Sequence, residues 1–171
     1  DLEGIQLWLN LPAKDKMITP NYQHLEDEQI PKLYSEDKKV QLNIVAGNQK
    51  GKEGLITTQT SVNVFTANAD EGGLVEIEIP EHHQSLIYLL DGEILVNGTE
   101  VLKKGENQMV TFHQDGNTIK IDAKKESTLL ILSGEPIKEK VTQYGPYVMN
   151  TQTEILEAMR DYQQGKMGYL Y

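Results

Sequence analysis

The sequence has no cysteine among its 171 residues, which excludes disulfide bonds, thiolate metal ligands and a cysteine nucleophile. No apolar run approaches the roughly 20 residues that a membrane-spanning helix needs. Basic residues are also scarce, and the net charge of -10 disfavours nonspecific nucleic-acid binding. Hydrophobic residues make up 38% and charged residues 25%, as in ordinary soluble globular proteins. A reducing cytoplasm suits such a chain and is the expected location.

Recognisable catalytic motifs are missing as well. The polar glycine segment at residues 47–54 contains no phosphate-loop pattern, because no Gly-Lys-Ser/Thr follows a strand there. Ser133 and the scattered threonines have no His and Asp partners at the spacing of a hydrolytic triad. Composition and local motifs therefore predict no catalytic residue.

The stretch from residue 73 to residue 98 gives the strongest structural signal. Apolar and acidic residues alternate over residues 75–79, which is the period of a strand with one buried face. Pro80 ends that strand, since it has no amide hydrogen to donate. An apolar run at 86–90 turns at Asp91-Gly92 into 93–96, and Asn97-Gly98 is a strong hairpin signal.

Further strand patterns occur at residues 39–46, 61–67, 107–113, 119–121 and 127–133. Turn signals between them recur about every ten residues, as in small barrels and sandwiches. Short strands that are joined by such turns and expected to pair tightly with one another predict an all-β fold, either an antiparallel sandwich or a barrel.

The two ends of the chain differ from this middle. Residues 4–12 read as an apolar strand, which suggests an internal fragment or a processed product whose strand partner is missing; the alternative is a short strand paired within the visible domain. Near the other end, Thr151 and Glu154 form a capping box before an amphipathic helix, and Gly165 suits its end.

Histidines are the remaining candidates for chemistry. A non-haem iron site needs two or three His and a carboxylate on one face. His82 and His83, with Glu81 beside them, are the only clustered pair, but adjacent residues on an extended chain point to opposite faces. Exposure in a turn is the preferred interpretation over a metal site, and the isolated His24 and His113 are expected at the surface and in a turn.

The central stretch resembles the first conserved block of a cupin barrel. In that family the block runs between two glycines, here Gly73 and Gly92, and carries a His-x-His pair and a Glu as metal ligands. Ser85 falls at the Glu position, and His82 and His83 are out of register with the His pair. The resemblance implies a cupin barrel and argues against its usual metal site.

Two further segments resemble the pirin family. GIQLWLNLP at residues 4–12 is similar to a strand near the end of the family's first cupin, and residues 132–165 resemble its C-terminal signature, with Gly-Glu-Pro, Tyr-Gly-Pro, Val-Met-Asn-Thr and a closing helix. The resemblance covers essentially the whole chain. It implies the end of an N-terminal cupin and a connector at 1–37, the C-terminal cupin at 38–149, and a helix and tail at 150–171.

The pirin resemblance also implies a function. Pirins carry two cupins, and their iron is held in the N-terminal one by three His and a Glu, upstream of what corresponds to Asp1. No iron ligand is therefore carried onto this chain. The leading hypothesis is a parent iron-dependent quercetinase-like dioxygenase, with this chain as its non-catalytic half. The alternatives are an iron-dependent regulatory protein that binds a transcriptional regulator or metabolic enzyme, and a cupin without activity.

Partners are expected to be proteins rather than nucleic acid or membrane. Without the first cupin, the helix face of Ile155, Met159 and Tyr162 would be uncovered, so we expect homodimerisation or exchange of terminal segments. The turn at residues 144–147 is expected to position the helix, with a recognition surface as the alternative. Trp8 and Tyr88 are expected in the core.

Overall fold

Alternating apolar side chains build a two-sheet β-sandwich from residues 21–136. In this computed structural model, which describes residues 4–167, that segment forms one unit, and residues 4–20 with 137–167 form another. The larger unit contains strands β1 (Lys32–Tyr34), β2 (Val40–Ala46), β3 (Asn48–Gln49), β4 (Lys52–Glu53), β5 (Val62–Ala69), β6 (Leu74–Glu78), β7 (Gln84–Asp91), β8 (Glu93–Val96), β9 (Glu100–Lys103), β10 (Met109–Thr111), β11 (Thr118–Ala123) and β12 (Ser127–Gly134), and a 3-10 turn at Asp27–Gln29.

Two antiparallel sheets enclose the core. One has the strand order β1-β2-β5-β12-β7-β10 and the other β6-β11-β8-β9, while β3 and β4 form a separate hairpin. Inward residues of both sheets are buried, among them Ile44, Phe65, Ile87, Ile94 and Ile131, each 0% exposed. Burial of this apolar surface is the main stabilising term, and the predicted all-β class is confirmed.

The three strands of the central stretch do not pair with one another, contrary to the tight pairing expected. Strand β6 pairs with β11, β7 with β10 and β12, and β8 with β9 and β11. The Asp91-Gly92 turn therefore carries the chain from one sheet to the other. Gly92 has φ of 93°, and a Cβ there would lie 2.3 Å from the Glu126 carbonyl oxygen, so only glycine fits.

The Asn97-Gly98 turn joins β8 to β9 as predicted. Asn97 and Gly98 have φ values of 50° and 75°, and the Thr99 amide donates to the Val96 carbonyl oxygen at 3.1 Å. Two successive residues with positive φ are what a tight hairpin turn requires.

Strand β6 ends its sheet, and side chains cover both ends of its unpaired edge. With its amide in the orientation that satisfies both groups, buried Gln49 donates to the Glu78 carbonyl oxygen at 3.2 Å and accepts from the Glu78 amide at 2.9 Å. At the other end, the Asp37 carboxylate accepts from the Leu74 amide at 3.4 Å. Covered edges resist pairing with a second chain.

The smaller unit holds helix α1 (Gln152–Gln163) and the hairpin of β13 (Thr142–Tyr144) and β14 (Tyr147–Met149). The predicted capping box is present, since the Thr151 hydroxyl accepts from the Glu154 amide at 3.3 Å and the Glu154 carboxylate accepts from the Thr151 amide at 2.7 Å. Gly165, with φ of 69°, follows the helix, and the Lys166 amide donates to the Asp161 carbonyl oxygen, which is the Schellman ending.

The helix packs on this hairpin, so its apolar face is not uncovered as a whole. Ile155 is 0% exposed, whereas Tyr162 is 65% exposed. The rings of Tyr147 and Tyr162 meet edge to face at 6.5 Å. Tyr147, which directly follows the Gly145-Pro146 turn, thus contributes to the surface on which the helix lies.

Residues 4–12 form no strand, which contradicts both the predicted N-terminal strand and the alternative in which it pairs within the domain. A 3-10 turn follows at Ala13–Asp15. Polar contacts hold this segment within the smaller unit: the Ala13 amide donates to Glu139 at 2.8 Å, and the Lys16 ammonium donates to Asn10 at 2.5 Å and to the Val148 carbonyl oxygen at 3.1 Å. Hydrogen bonds, rather than a strand ladder, position the segment.

Two aromatic residues expected in the core lie at the surface. Trp8 is 74% exposed and Tyr88 is 38% exposed. Trp8 has no sheet to enter, and Tyr88 lies on the outer face of β7, because the inward positions of that strand belong to Ile87 and Leu89. No helix within residues 4–167 has the length and apolar character needed to cross a membrane.

Candidate functional site

Buried His83 lies where one end of the sandwich core becomes polar. Along β5 the inward positions run from Ala67 and Phe65 to Asn63, and along β12 the series ends at Ser133, which pairs with Asn63 in register. His83 follows the turn after β6, where its amide donates to the Pro80 carbonyl oxygen at 2.9 Å. Only 3% of His83 is exposed, so its predicted exposure in a turn was wrong.

Both ring nitrogens of His83 have hydroxyl partners. Nε2 lies 3.1 Å from the Ser61 Oγ, and Nδ1 lies 3.1 Å from the Ser133 Oγ. Asn63 Nδ2 donates to the same Ser133 oxygen at 2.9 Å, and Asn63 Oδ1 accepts from the Asn48 amide at 3.1 Å. Buried polar groups are stable when they are paired in this way.

The environment keeps His83 neutral. Burial lowers the pKa of its imidazole, the nearby His82 lowers the pKa further, and Glu135 opposes the shift. Because a charged form would have to be desolvated, His83 acts here as a neutral hydrogen-bonding group.

The three weak metal candidates do not converge on an ion. His82 and Glu81 are exposed, and the His82 ring meets the His83 ring edge to face at 4.8 Å. Both nitrogens of His83 are already engaged by serine hydroxyls. No group of three or more His, Asp or Glu in residues 4–167 is placed to hold a metal, so these three residues do not fit a metal centre.

The remaining histidines lie at the surface. His24 is exposed and its Nε2 lies 2.8 Å from a Glu26 carboxylate oxygen. His113 is exposed after β10. Neither contributes to the polar end of the core.

A cleft of about 990 Å³ opens at this polar end. Its walls come from the β3–β4 hairpin, the segment leading into β5, the turn after β6 and the start of β11. The hydrogen-bonded residues Ser61, Asn63 and His83 are part of its lining. The lining also includes the apolar residues Ile56, Val62, Ile79 and Pro80, so the cleft is mixed in character.

The sequence did not reveal this constellation. Ser61 and His83 are 22 residues apart, and His83 and Ser133 are 50 apart. Sequence spacing gives Ser133 no histidine partner, yet the fold brings its Oγ to within 3.1 Å of His83 Nδ1. The only available signal was the polar residue at an inward position of β5 and of β12.

Comparison with known proteins identifies the fold family. Residues 64–168 match the family model of the pirin C-terminal cupin domain. The chain belongs to the pirin family. It is 35% identical to a pirin-like protein of Solanum lycopersicum and 33% identical to pirin of Rattus norvegicus, covering 98% and 97% of this chain respectively. The predicted family and cupin fold are thereby confirmed.

Structural comparison agrees with the pirin assignment. The crystal structure of a quercetin 2,3-dioxygenase from Acinetobacter baumannii superposes with a TM-score of 0.88 at 32% identity, over 96% of this chain and 56% of that one. The chain spans 57% of the length of each of the two pirin relatives. It thus corresponds to the part of a pirin that contains the C-terminal cupin.

Proposed function

We propose that this chain is the C-terminal cupin half of an iron-dependent, quercetinase-like dioxygenase that works in the cytoplasm. The likeness to the Acinetobacter baumannii quercetin 2,3-dioxygenase carries the proposal, because it combines 32% identity with a TM-score of 0.88. In the parent protein, the iron would supply the centre at which dioxygen reacts with the flavonol. This half contributes structure and shields the centre without ligating its metal.

The residues of this chain favour a centre elsewhere in the parent. The candidates His82, His83 and Glu81 do not fit a metal site, since one histidine is fully engaged and the other two residues are exposed. Fold likeness alone does not define a reaction. The catalytic role therefore belongs to the parent, and the isolated chain is expected to be inactive.

Exposed apolar residues of the smaller unit suit contact with the N-terminal cupin of the parent. Trp8 is 74% exposed, Leu156 59% and Tyr162 65%. Exposed apolar patches mark interaction surfaces. In the isolated chain the same residues favour a homodimer or an exchange of terminal segments, which sedimentation at increasing concentration tests directly; a monomer at every concentration contradicts it.

The decisive assay is quercetin turnover by the full-length parent loaded with Fe(II). Oxygen uptake and loss of quercetin absorbance are expected together from the parent, and neither is expected from the 171-residue chain alone under the same conditions. A parent loaded with iron that leaves quercetin unchanged contradicts the enzymatic proposal.

A regulatory function is the second candidate, because relatives of equal similarity are named only as pirins. In that case the iron-loaded parent binds a transcriptional regulator or a metabolic enzyme and changes its activity. Absence of flavonol turnover, combined with iron-dependent binding of a protein partner, favours regulation over catalysis.

A further inference from the structure

The cleft beside His83 has features of a ligand site that the proposed dioxygenase function does not use. Its volume of about 990 Å³ lies at the upper end of the range typical of small-molecule pockets, which is about 300–1,000 Å³. It opens at the end of the core, where the apolar inward positions of β5 and β12 give way to Asn63 and Ser133. These two strands therefore place buried polar side chains beside the cavity.

The hydrogen bonds around His83 leave the Ser61 hydroxyl able to bind a further group in the cleft. Ser61 is exposed and lines the cleft, while its Oγ is held 3.1 Å from buried His83 Nε2. A hydroxyl has one donor site and two acceptor sites, so one bond to His83 leaves Ser61 able to bind a second group. Behind it, Ser133 and Asn63 fix the imidazole, which pre-orients the serine hydroxyl.

The charges around the cleft select against anions. Glu53, Glu78 and Glu81 line it, with Lys50 as the opposing charge. His83 adds no positive charge, because burial lowers the pKa of its imidazole. A phosphate or carboxylate ligand would thus meet a surplus of negative charge and no buried cation.

The remaining polar lining consists of neutral donors and acceptors. Threonine, asparagine and glutamine side chains contribute to it: Asn48, Thr57, Thr58, Gln59, Thr60, Asn117 and Thr118. Hydroxyl and amide groups of this kind exchange hydrogen bonds with ligand hydroxyls without a charge on either side. The apolar atoms of Ile56, Ile79 and Pro80 can cover carbon–hydrogen surface of the same ligand.

We propose that this cleft binds a small neutral polyhydroxylated molecule of the sugar or polyol class, with the Ser61 hydroxyl as a central contact. The site lies entirely within residues 21–136, and the proposal gives its residues no part in binding iron. Its occupancy does not depend on flavonol turnover, so the two proposals can fail independently.

The test is a titration of the isotope-labelled chain, followed by amide chemical shifts, with D-glucose and myo-inositol as neutral probes and inorganic phosphate as the anionic probe. We expect saturable shifts at the amides of Ser61, Asn63 and His83 with at least one neutral probe, and none with phosphate. Ser61→Ala should weaken binding by about 2- to 10-fold, the range that corresponds to one net hydrogen bond.

Thr111→Ala is the matched control, because it removes an exposed hydroxyl on β10 outside the cleft. The affinity of this variant for the neutral probe should equal that of the unmodified chain. Ser61 is itself exposed, but its truncation removes the hydroxyl partner of His83 Nε2, so the dispersion of the amide spectrum is used to verify that the variant is folded. Three results would overturn the proposal: no saturation by either neutral probe at millimolar concentrations, stronger binding of phosphate, or equal affinity in Ser61→Ala and Thr111→Ala.

Discussion

Alanine substitution of two adjacent helix residues distinguishes a side chain that this chain buries by itself from one that the rest of the parent would have to cover. Ile155 is 0% exposed and Leu156 is 59% exposed. Ile155→Ala removes a fully buried side chain, which typically lowers the free energy of unfolding by about 2–5 kcal/mol. Full burial of a leucine contributes about 1.5–3 kcal/mol, so covering the exposed 59% of Leu156 would add roughly 1–2 kcal/mol in the parent.

Urea unfolding of the isolated chain and of the full-length parent measures how much each substitution changes the free energy of unfolding. Ile155→Ala should destabilise both proteins. Leu156→Ala should have a small effect on the isolated chain and an effect larger by roughly 1–2 kcal/mol on the parent, if the first cupin covers this surface. Equal effects of Leu156→Ala in the two proteins would refute the proposed domain contact, and a negligible effect of Ile155→Ala would refute the packing of the helix on its hairpin.

Two further predictions concern the larger unit. Because the pKa of His83 is lowered in the folded chain, the unfolded chain binds a proton at this residue more readily. The contribution of His83 to the free energy of unfolding is therefore complete above the ordinary pKa of 6.5 and is lost as the pH falls through the lowered value. In a plot of the free energy of unfolding against pH, His83→Gln should remove this decrease, whereas His82→Gln, at an exposed position, should largely keep it. The same pH dependence in His83→Gln and in the unmodified chain would contradict the argument. Gln49→Ala should uncover the β6 edge at Glu78 and increase self-association in sedimentation, whereas Asn48→Ala on the exposed side of the same hairpin should not; equal association of the two variants would show that Gln49 does not protect the edge.

Local patterns predicted the strands well, because the alternation that marks a strand lies within the residues of that strand. Period-two alternation located β2 and β6, and the chemistry of Asn97-Gly98 predicted a turn with positive φ at both residues. The capping box and Gly165 likewise placed the ends of α1. In each case the determinant lies within a few residues of the feature.

Features that depend on distant residues could not be predicted in this way. Residues 4–12 alternate like a strand, but a ladder needs a partner. Hydrogen bonds that Lys16 and the Ala13 amide donate hold this part of the chain instead. Adjacent histidines suggested exposure, yet His83 is buried because Ser61 and Ser133 satisfy its ring. Sheet register, rather than sequence spacing, assembles that site.

The most direct test of the central proposal is metal content, measured by elemental mass spectrometry on this chain and on the full-length parent purified side by side. The proposal predicts stoichiometric iron in the parent and none in the 171-residue chain. Stoichiometric metal in the isolated chain would contradict it, and His82, His83 and Glu81 would then be the first residues to replace.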